Sequence, residues 1–302
     1  MNPFLEYNNV FNNLSKNSIP LNFLDKYIEI DSKIKIHIPT GVISSKLEMS
    51  EVGVLDYWSK NYFKSNVTDN NYSATFPFAK SRLYYVLLTL IDHLRKMGNK
   101  KIESELRLVD YAAGEGVFIE LAKREMPQWR LGAVEGSREQ SEKIRAQGIE
   151  VLNQGLGFGK SNFQNIDVAT ILWTLSCSIN PLSILKEIKD SLNDDGILVV
   201  AESSRILVPY KKSLNDLFSK IHPSDVHPWY FSFRSLKALL VCAGFETISN
   251  NRFIDSDVML LIAKKSDSTR SQSLEFDDPN LVYSFMKNWD YLSSTLFKEF
   301  QI

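Results

Sequence analysis

The chain is poor in the residues that build covalent and metal frameworks. Its 302 residues hold two cysteines, Cys177 and Cys242. That is too few for a disulfide framework or a cysteine zinc site. Histidine is scarce as well: His37, His93, His222 and His227 are the whole supply, so any histidine chemistry rests on a short list. No excess of either charge exists. Thirty-five Lys+Arg against 36 Asp+Glu leave a formal net charge of −1, which removes the bulk electrostatic case for a nucleic acid or an anionic membrane. Long apolar runs are missing too. Stretches such as YYVLLTLI at 84–91 fall well short of the roughly 20 residues that span a bilayer. The start, MNPFLEYNNVFNN, has no basic region followed by an apolar run, so no signal peptide is expected. The reading is a soluble, cytoplasmic protein of a reducing compartment.

What is present is a globular composition. Hydrophobic residues make up 44% and charged residues 24%, which excludes wholesale disorder. The length fits one large domain or two ordinary ones. Residues 1–75 alternate short apolar runs with turn residues and read as a small N-terminal element that serves as substrate side or lid. Within it, Ile34, Ile36 and Ile38 alternate, which predicts a strand. From about residue 80 the pattern is regular. Leu83, Val86, Leu87, Leu90, Leu94 and Met97 share a helical face, and Gly98 supplies a stop. LRLVDY (106–111), WRLGAVE (129–135), IEVL (149–152), IDVATILWTL (166–175) and ILVVAES (197–203) read as strands with helices between them. Ser137 with Gln140 makes a capping box, and Asn180-Pro181 starts another helix. FETISNNRF and DVMLLIAKK supply the last two strands. This alternation predicts an α/β fold with a mostly parallel seven-stranded sheet covered on both faces. It defines a core over 76–266. The remainder, 267–302, is a polar linker and a helical tail. There Val282, Phe285, Met286, Trp289, Leu292, Leu296 and Phe300 form a stripe for packing on the core or for a homodimer contact.

The strongest motif is VDYAAGEGVF, 109–118, between the first sheet strand and its helix. A strand that feeds a glycine turn into a helix start is how α/β folds hold nucleotides. The dinucleotide fingerprint G-x-G-x-x-G fails here, because Val117 stands at the third glycine. The pattern D-x-(G/A)-x-G-x-G from Asp110 to Gly116 fits better. It resembles motif I of the class I S-adenosylmethionine-dependent methyltransferases. Glu115 inside the turn agrees, since a carboxylate sits badly beside a pyrophosphate, whereas S-adenosylmethionine carries ammonium and sulfonium charges and no phosphate. Alanine at 112 departs from the family's usual glycine.

The resemblance covers roughly residues 80–265 and implies a Rossmann-like fold, S-adenosylmethionine as cofactor and methyl transfer to a small molecule. It implies roles for particular residues. Asp110 is to hold the turn and the methionine ammonium, with Ala112, Gly114 and Gly116 forming the turn itself. Glu135, at the end of the second strand, is placed for both ribose hydroxyls, with Gly136 beside it. Gln154, Gly155 and Leu156 are to meet the adenine, and Trp173 to form a wall beneath the cofactor. The aromatic-rich stretch before motif I is to close over the site, with Tyr72 near the methyl group and Arg82 on the methionine carboxylate.

For the acceptor, the relatives that modify sugars suggest a sugar or nucleotide-linked sugar hydroxyl. Their usual Glu-His after the fourth strand is replaced by Ser176-Cys177, so no base is carried over to those positions. A hydroxyl acceptor needs a base, and imidazole titrates near neutrality. His227, then His222, in IHPSDVHPWYF (221–231) are the candidates, with Glu202 at the fifth strand's end to orient a histidine or hold the acceptor. His222, Asp225 and His227 are metal-ligand types, but their spacing matches no strong motif, and no metal is expected. Cys177 and Cys242 read as small buried residues. Two other functions stand as alternatives: a non-catalytic S-adenosylmethionine-binding protein, and a nicotinamide-dependent oxidoreductase.

Overall fold

A computed structural model describes residues 2–27, 34–45, 50–58, 77–98, 100–156, 163–203, 205–210, 213–217, 227–254, 256–266 and 273–295. Tyr72, His222, Asp225, Leu296 and Phe300 lie outside the described residues. The chain opens with helix α1 (Pro3–Phe11), strand β1 (Ser18–Pro20), a 3-10 turn (Asn22–Tyr27), β2 (Lys35–His37), β3 (Ile43–Ser44) and α2 (Glu51–Asp56). Helix α3 (Pro77–Lys96) precedes the alternating core: β4 (Arg107–Tyr111), α4 (Val117–Glu125), β5 (Arg130–Val134), α5 (Arg138–Ala146), β6 (Glu150–Leu152) and β7 (Ile166–Leu172). Then follow α6 (Pro181–Ser191), β8 (Leu192–Glu202), a short helix α7 (Leu214–Leu217), β9 (Trp229–Tyr230), α8 (Phe233–Cys242), β10 (Phe245–Asn250), β11 (Met259–Lys265) and α9 (Pro279–Thr295).

Seven strands form one sheet in the order β10-β11-β8-β7-β4-β5-β6. The pairs β4–β5, β4–β7, β5–β6 and β7–β8 are parallel, and β11 is antiparallel to both neighbours. The predicted mostly parallel seven-stranded sheet is what the chain builds. One face is covered by α3, α4 and α5, whose Leu87, Leu90, Phe118, Ile119 and Ile144 join Val168 and Val199 of the sheet. The other is covered by α1, α6 and α8 through Tyr7, Phe11, Leu185, Ile188, Leu236 and Leu239. Each such side chain is worth roughly 1.5–3 kcal/mol when fully buried, so both faces are well anchored.

The small sheet, β1-β2-β3-β9, is antiparallel, and its last strand comes from residues 229–230. The N-terminal element is therefore hydrogen-bonded to a segment that follows the fifth core strand. Ile34 and Ile36 are buried as the alternation predicts, but Ile38 is exposed, because β2 ends at His37. Helix α9 packs on this sheet: Val282, Met286 and Trp289 are buried with Leu21, Leu24, Ile36 and Tyr230. Three residues of the tail stripe are thus taken up inside the chain itself.

Three local expectations need correction. Met97 is exposed, since α3 stops at Lys96 and Gly98 turns the chain at φ +65°. The fourth strand ends at Leu172, three residues early, because Trp173 adopts φ +52°. The capping box of α5 is only half made by Gln140. Its backbone N–H donates to Ser137 Oγ, but the Ser137 N–H goes to Glu135 Oε1 at 2.7 Å. A carboxylate from the preceding strand end outcompetes the neutral amide for that N–H.

Candidate active site

Parallel register puts the ends of five strands on one edge. Tyr111 pairs with Val134 and Ile171, Val134 with Leu152, and Leu172 with Ala201. Asp110, the glycine turn, Glu135, Gln154, Trp173 and Glu202 therefore all lie at the carboxyl edge, where open α/β sheets take their ligands.

The turn itself is wound into left-handed backbone. Ala112 has φ +59°, Gly114 +56° and Gly116 +76°. Gly116 caps α4 without a side-chain bond, and a Cβ there would lie 2.7 Å from Ile144 Cγ1. Glycine is demanded by both conformation and space. Alanine at 112 takes the same conformation with a Cβ attached. Replacing Ala112 by Gly is expected to raise stability by about 0.5–1 kcal/mol, since the left-handed cost for an L-residue exceeds the extra entropy of glycine in the unfolded chain. Chemical denaturation would measure this, and a lower midpoint would refute it.

Glu135 ties the turn to the second strand. Its Oε2 accepts from the Gly114 N–H at 2.7 Å and its Oε1 from the Ser137 N–H at 2.7 Å. Ala113 N–H donates to the Val134 carbonyl. Burial pushes the Glu135 carboxyl upward, while these backbone donors pull it back. One carboxylate thus clamps the glycine turn and the start of α5 together, with the Gly136 N–H as a further donor, and acceptor capacity remains for a ligand. Asn153 braces the same corner, donating to the Glu135 and Gly136 carbonyls and to Ser141 Oγ. Gly136 lies against the segment predicted for adenine: a Cβ there would be 3.7 Å from both the Gln154 carbonyl oxygen and Gly155 Cα. Leu156 is half-buried against the core. Gln154 Nε2 is buried with no hydrogen-bond partner among the described residues.

Asp110 is buried, and its Oδ1 accepts from Thr170 Oγ1 on β7 at 2.6 Å. Burial pushes its carboxyl to about 7, with the Glu135 charge adding to the rise and the Thr170 bond opposing it. Thr170 was not among the predicted residues. Its signal was a single hydroxyl in the apolar run IDVATILW, in register with Asp110. A cationic ligand group beside Asp110 requires the anion. Cofactor affinity is therefore expected to rise with pH between about 5.5 and 7, with proton release on binding. Asp110→Asn should flatten this dependence. Calorimetry in buffers of different ionisation enthalpy checks it, and pH-independent binding by the parent chain would contradict it.

Arg82 and Trp173, predicted separately, meet. The Arg82 guanidinium lies 4.8 Å from the centroid of the Trp173 ring and 4.9 Å from that of Phe78, a cation–π geometry. Trp173 is held in its left-handed turn by its N–H bond to the Ala201 carbonyl at 2.7 Å.

Beyond Trp173 the chain makes a 3-10 turn, Leu175–Cys177. Both Glu202 oxygens are engaged there: Oε1 accepts from the Ser176 N–H at 3.1 Å and Oε2 from the Ser176 hydroxyl at 2.9 Å. Glu202 is buried, which pushes its carboxyl upward against these bonds. Both of these donors come from Ser176, a residue the sequence reading did not pair with it. The imidazole of His227 lies instead against Cys177, with Nδ1 3.1 Å from Sγ. Trp58 stacks on His227 at 6.5 Å and Tyr230 approaches it edge-on at 6.5 Å. Ser45 holds the loop: its hydroxyl bonds the His227 carbonyl at 2.8 Å and its N–H the Pro228 carbonyl. Trp58 comes from the N-terminal element, and no spacing in the sequence could have paired it with residue 227. Among the described residues no cluster of three or more His, Cys, Asp or Glu could hold a metal, and no helix is long and apolar enough to cross a membrane.

The family model of the methyltransferase domain matches residues 81–250, more than half of the chain. The chain belongs to this family. Many solved structures match its fold, two methyltransferases among them. The plantazolicin methyltransferase BpumL, in complex with SAH, is 15% identical, over 72% of this chain and 95% of that one, with a TM-score of 0.50. The magnesium protoporphyrin IX methyltransferase ChlM from Synechocystis PCC 6803, with bound SAH, is 14% identical, over 72% and 100%, with a TM-score of 0.50. Among curated proteins none matches in sequence.

S-adenosylmethionine is the cofactor of this methyltransferase, and the edge suits it. The carboxyls of Asp110 and Glu135 are both buried at this edge, acidic groups that suit a cationic ligand better than a phosphate. The orphaned Gln154 Nε2 is a donor of the kind an adenine nitrogen would satisfy, and leaving it unpaired costs about 1–3 kcal/mol.

Proposed function

We propose that this methyltransferase modifies a hydroxyl of a small molecule, with a sugar or nucleotide-linked sugar as the acceptor class. The observation that carries the reading is His227 at the carboxyl edge, between Cys177, Trp58 and Tyr230. A hydroxyl must lose its proton as it is methylated, and a positioned imidazole serves that need near neutrality. The flanking aromatic rings offer flat apolar faces for a ring-shaped acceptor.

The remaining roles follow from position. S-adenosylmethionine supplies a methyl group already activated by its sulfonium charge. Asp110, Ala112, Gly114 and Gly116 would border its methionine end, with Arg82 toward the carboxylate. Glu135 and Gly136 would receive the ribose, and Gln154, Gly155 and Leu156 the adenine. Trp173 would wall the site from below. Glu202 acts through Ser176, fixing the turn that carries Cys177. The N-terminal element contributes Trp58 and Ser45 to the acceptor side. Alignment of the two reactants and exclusion of water complete what the protein must supply.

Incubation with methyl-labelled S-adenosylmethionine and separate panels of nucleotide sugars, free sugars, phenols and amines tests the acceptor class. Label in a sugar hydroxyl supports the reading. Label confined to amines or phenols contradicts it.

A further inference from the structure

Strand β3 is an inner strand of the small sheet. It pairs with β2 on one side and with β9 on the other, where Ile43 stands opposite Tyr230 and Ser44 opposite Trp229. Its side chains are anchored as well. Ile43 is buried with Ile36, Tyr230, Met286 and Trp289, and Ser44 Oγ lies 2.7 Å from His37 Nε2. The next residue, Ser45, therefore projects from the end of a firmly held strand.

One step before Trp229 the ladder meets Pro228. Proline has no N–H to donate, and the chain bends there, so reciprocal strand pairing stops. Ser45 bridges the interruption with two bonds from one residue. Its N–H donates to the Pro228 carbonyl at 2.9 Å, and its hydroxyl donates to the His227 carbonyl at 2.8 Å. Proline also biases the residue before it toward extended backbone. His227 is thus constrained twice: in sequence by Pro228, and across the strands by a serine 182 positions earlier. The backbone held in this way carries the imidazole to Cys177 Sγ at 3.1 Å and to the Trp58 ring at 6.5 Å.

We propose that Ser45 is a positioning residue for methyl transfer: its hydroxyl, acting through the His227 carbonyl, seats the imidazole at the acceptor side. The proposal rests on the reading of His227 as the base. A small displacement of a reacting group costs much of its effect, so a bond that fixes the base's own backbone serves the reaction without touching the acceptor. The backbone N–H of residue 45 alone would hold Pro228 and leave the position of His227 to its other contacts. The N-terminal element then sets where the base stands, in addition to bordering the acceptor with Trp58.

Nuclear magnetic resonance of the full chain with labelled histidine tests this. The chain holds four histidines, and His227→Asn assigns the His227 signals. In the parent chain the ring protons of His227 should carry the ring-current shift of the stacked Trp58. Relaxation dispersion of those signals gives the ratio of seated to released ring. In Ser45→Ala this ratio should fall about twofold to tenfold, the worth of one hydrogen bond. Ser45→Thr should keep the parent ratio, since the hydroxyl remains. His37 is the control, because it lies on the same sheet and bonds the neighbouring Ser44. Its signals should stay in place in both variants, and calorimetry should find S-adenosylmethionine binding unchanged. An unaltered His227 ratio in Ser45→Ala overturns the proposal. So does a Ser45→Ala chain in which His37 is disturbed as much as His227, which would make Ser45 a support of the sheet alone. If His227 responds as stated but His227→Ala transfers methyl normally, the base reading fails while the seating of the ring by Ser45 stands.

Discussion

Glu135→Ala is expected to lower S-adenosylmethionine affinity tenfold to a hundredfold and stability by about 2–4 kcal/mol. The double effect follows from the two bonds each carboxylate oxygen can make. One lone pair on each oxygen accepts a backbone N–H, from Gly114 and Ser137. Truncation leaves both donors without their partner and releases the left-handed turn from β5. The remaining acceptor capacity is that proposed for the ribose hydroxyls, worth about 1–3 kcal/mol. Glu135→Gln separates the contributions poorly, because its amide accepts from one N–H and presents hydrogens to the other. Calorimetric titration read together with denaturation does separate them. Lost stability with unchanged affinity for the folded protein would remove Glu135 from the cofactor site and leave it as a clamp alone.

His227→Ala should cost about two to four powers of ten in turnover, the usual worth of a positioned base. Cofactor affinity should hold within about twofold, because the contacts of the imidazole are to Cys177, Trp58 and Tyr230 and the glycine turn is held by Glu135. The split matters. A residue that merely supported the fold would depress binding and stability together, whereas a base lowers kcat and leaves saturation by S-adenosylmethionine alone. Full turnover in this variant would refute the assignment.

The core was legible because its signals are local and redundant. Each parallel strand is a short apolar run, each helix repeats its apolar residues at three and four, and Asp110 to Gly116 needs neighbours only in sequence. Glu135 was legible for the same reason, as an acid at a strand end. What escaped was set by contacts between distant segments. Thr170 acts because parallel register sets it beside Asp110. Glu202 was legible as an acid at a strand end, but its two bonds from Ser176, in a turn 26 residues earlier, were not. Cys177 read as a small buried residue, and only the fold brings His227 to it. Residues 229–230 completing the N-terminal sheet carry no local mark at all. The tail stripe allowed two destinations, and burial of Val282, Met286 and Trp289 against the small sheet accounts for its central residues within one chain.

The central claim is that the carboxyl edge, from Asp110 through Glu135 to Gln154, takes S-adenosylmethionine. Calorimetric titration of the full chain with S-adenosylmethionine and, separately, NAD tests it most directly. Saturable binding of S-adenosylmethionine to one site per chain, in a range of about 1–100 μM, weakened by Glu135→Ala, with no comparable NAD binding, is the predicted result. Tight binding of NAD without binding of S-adenosylmethionine would contradict the account.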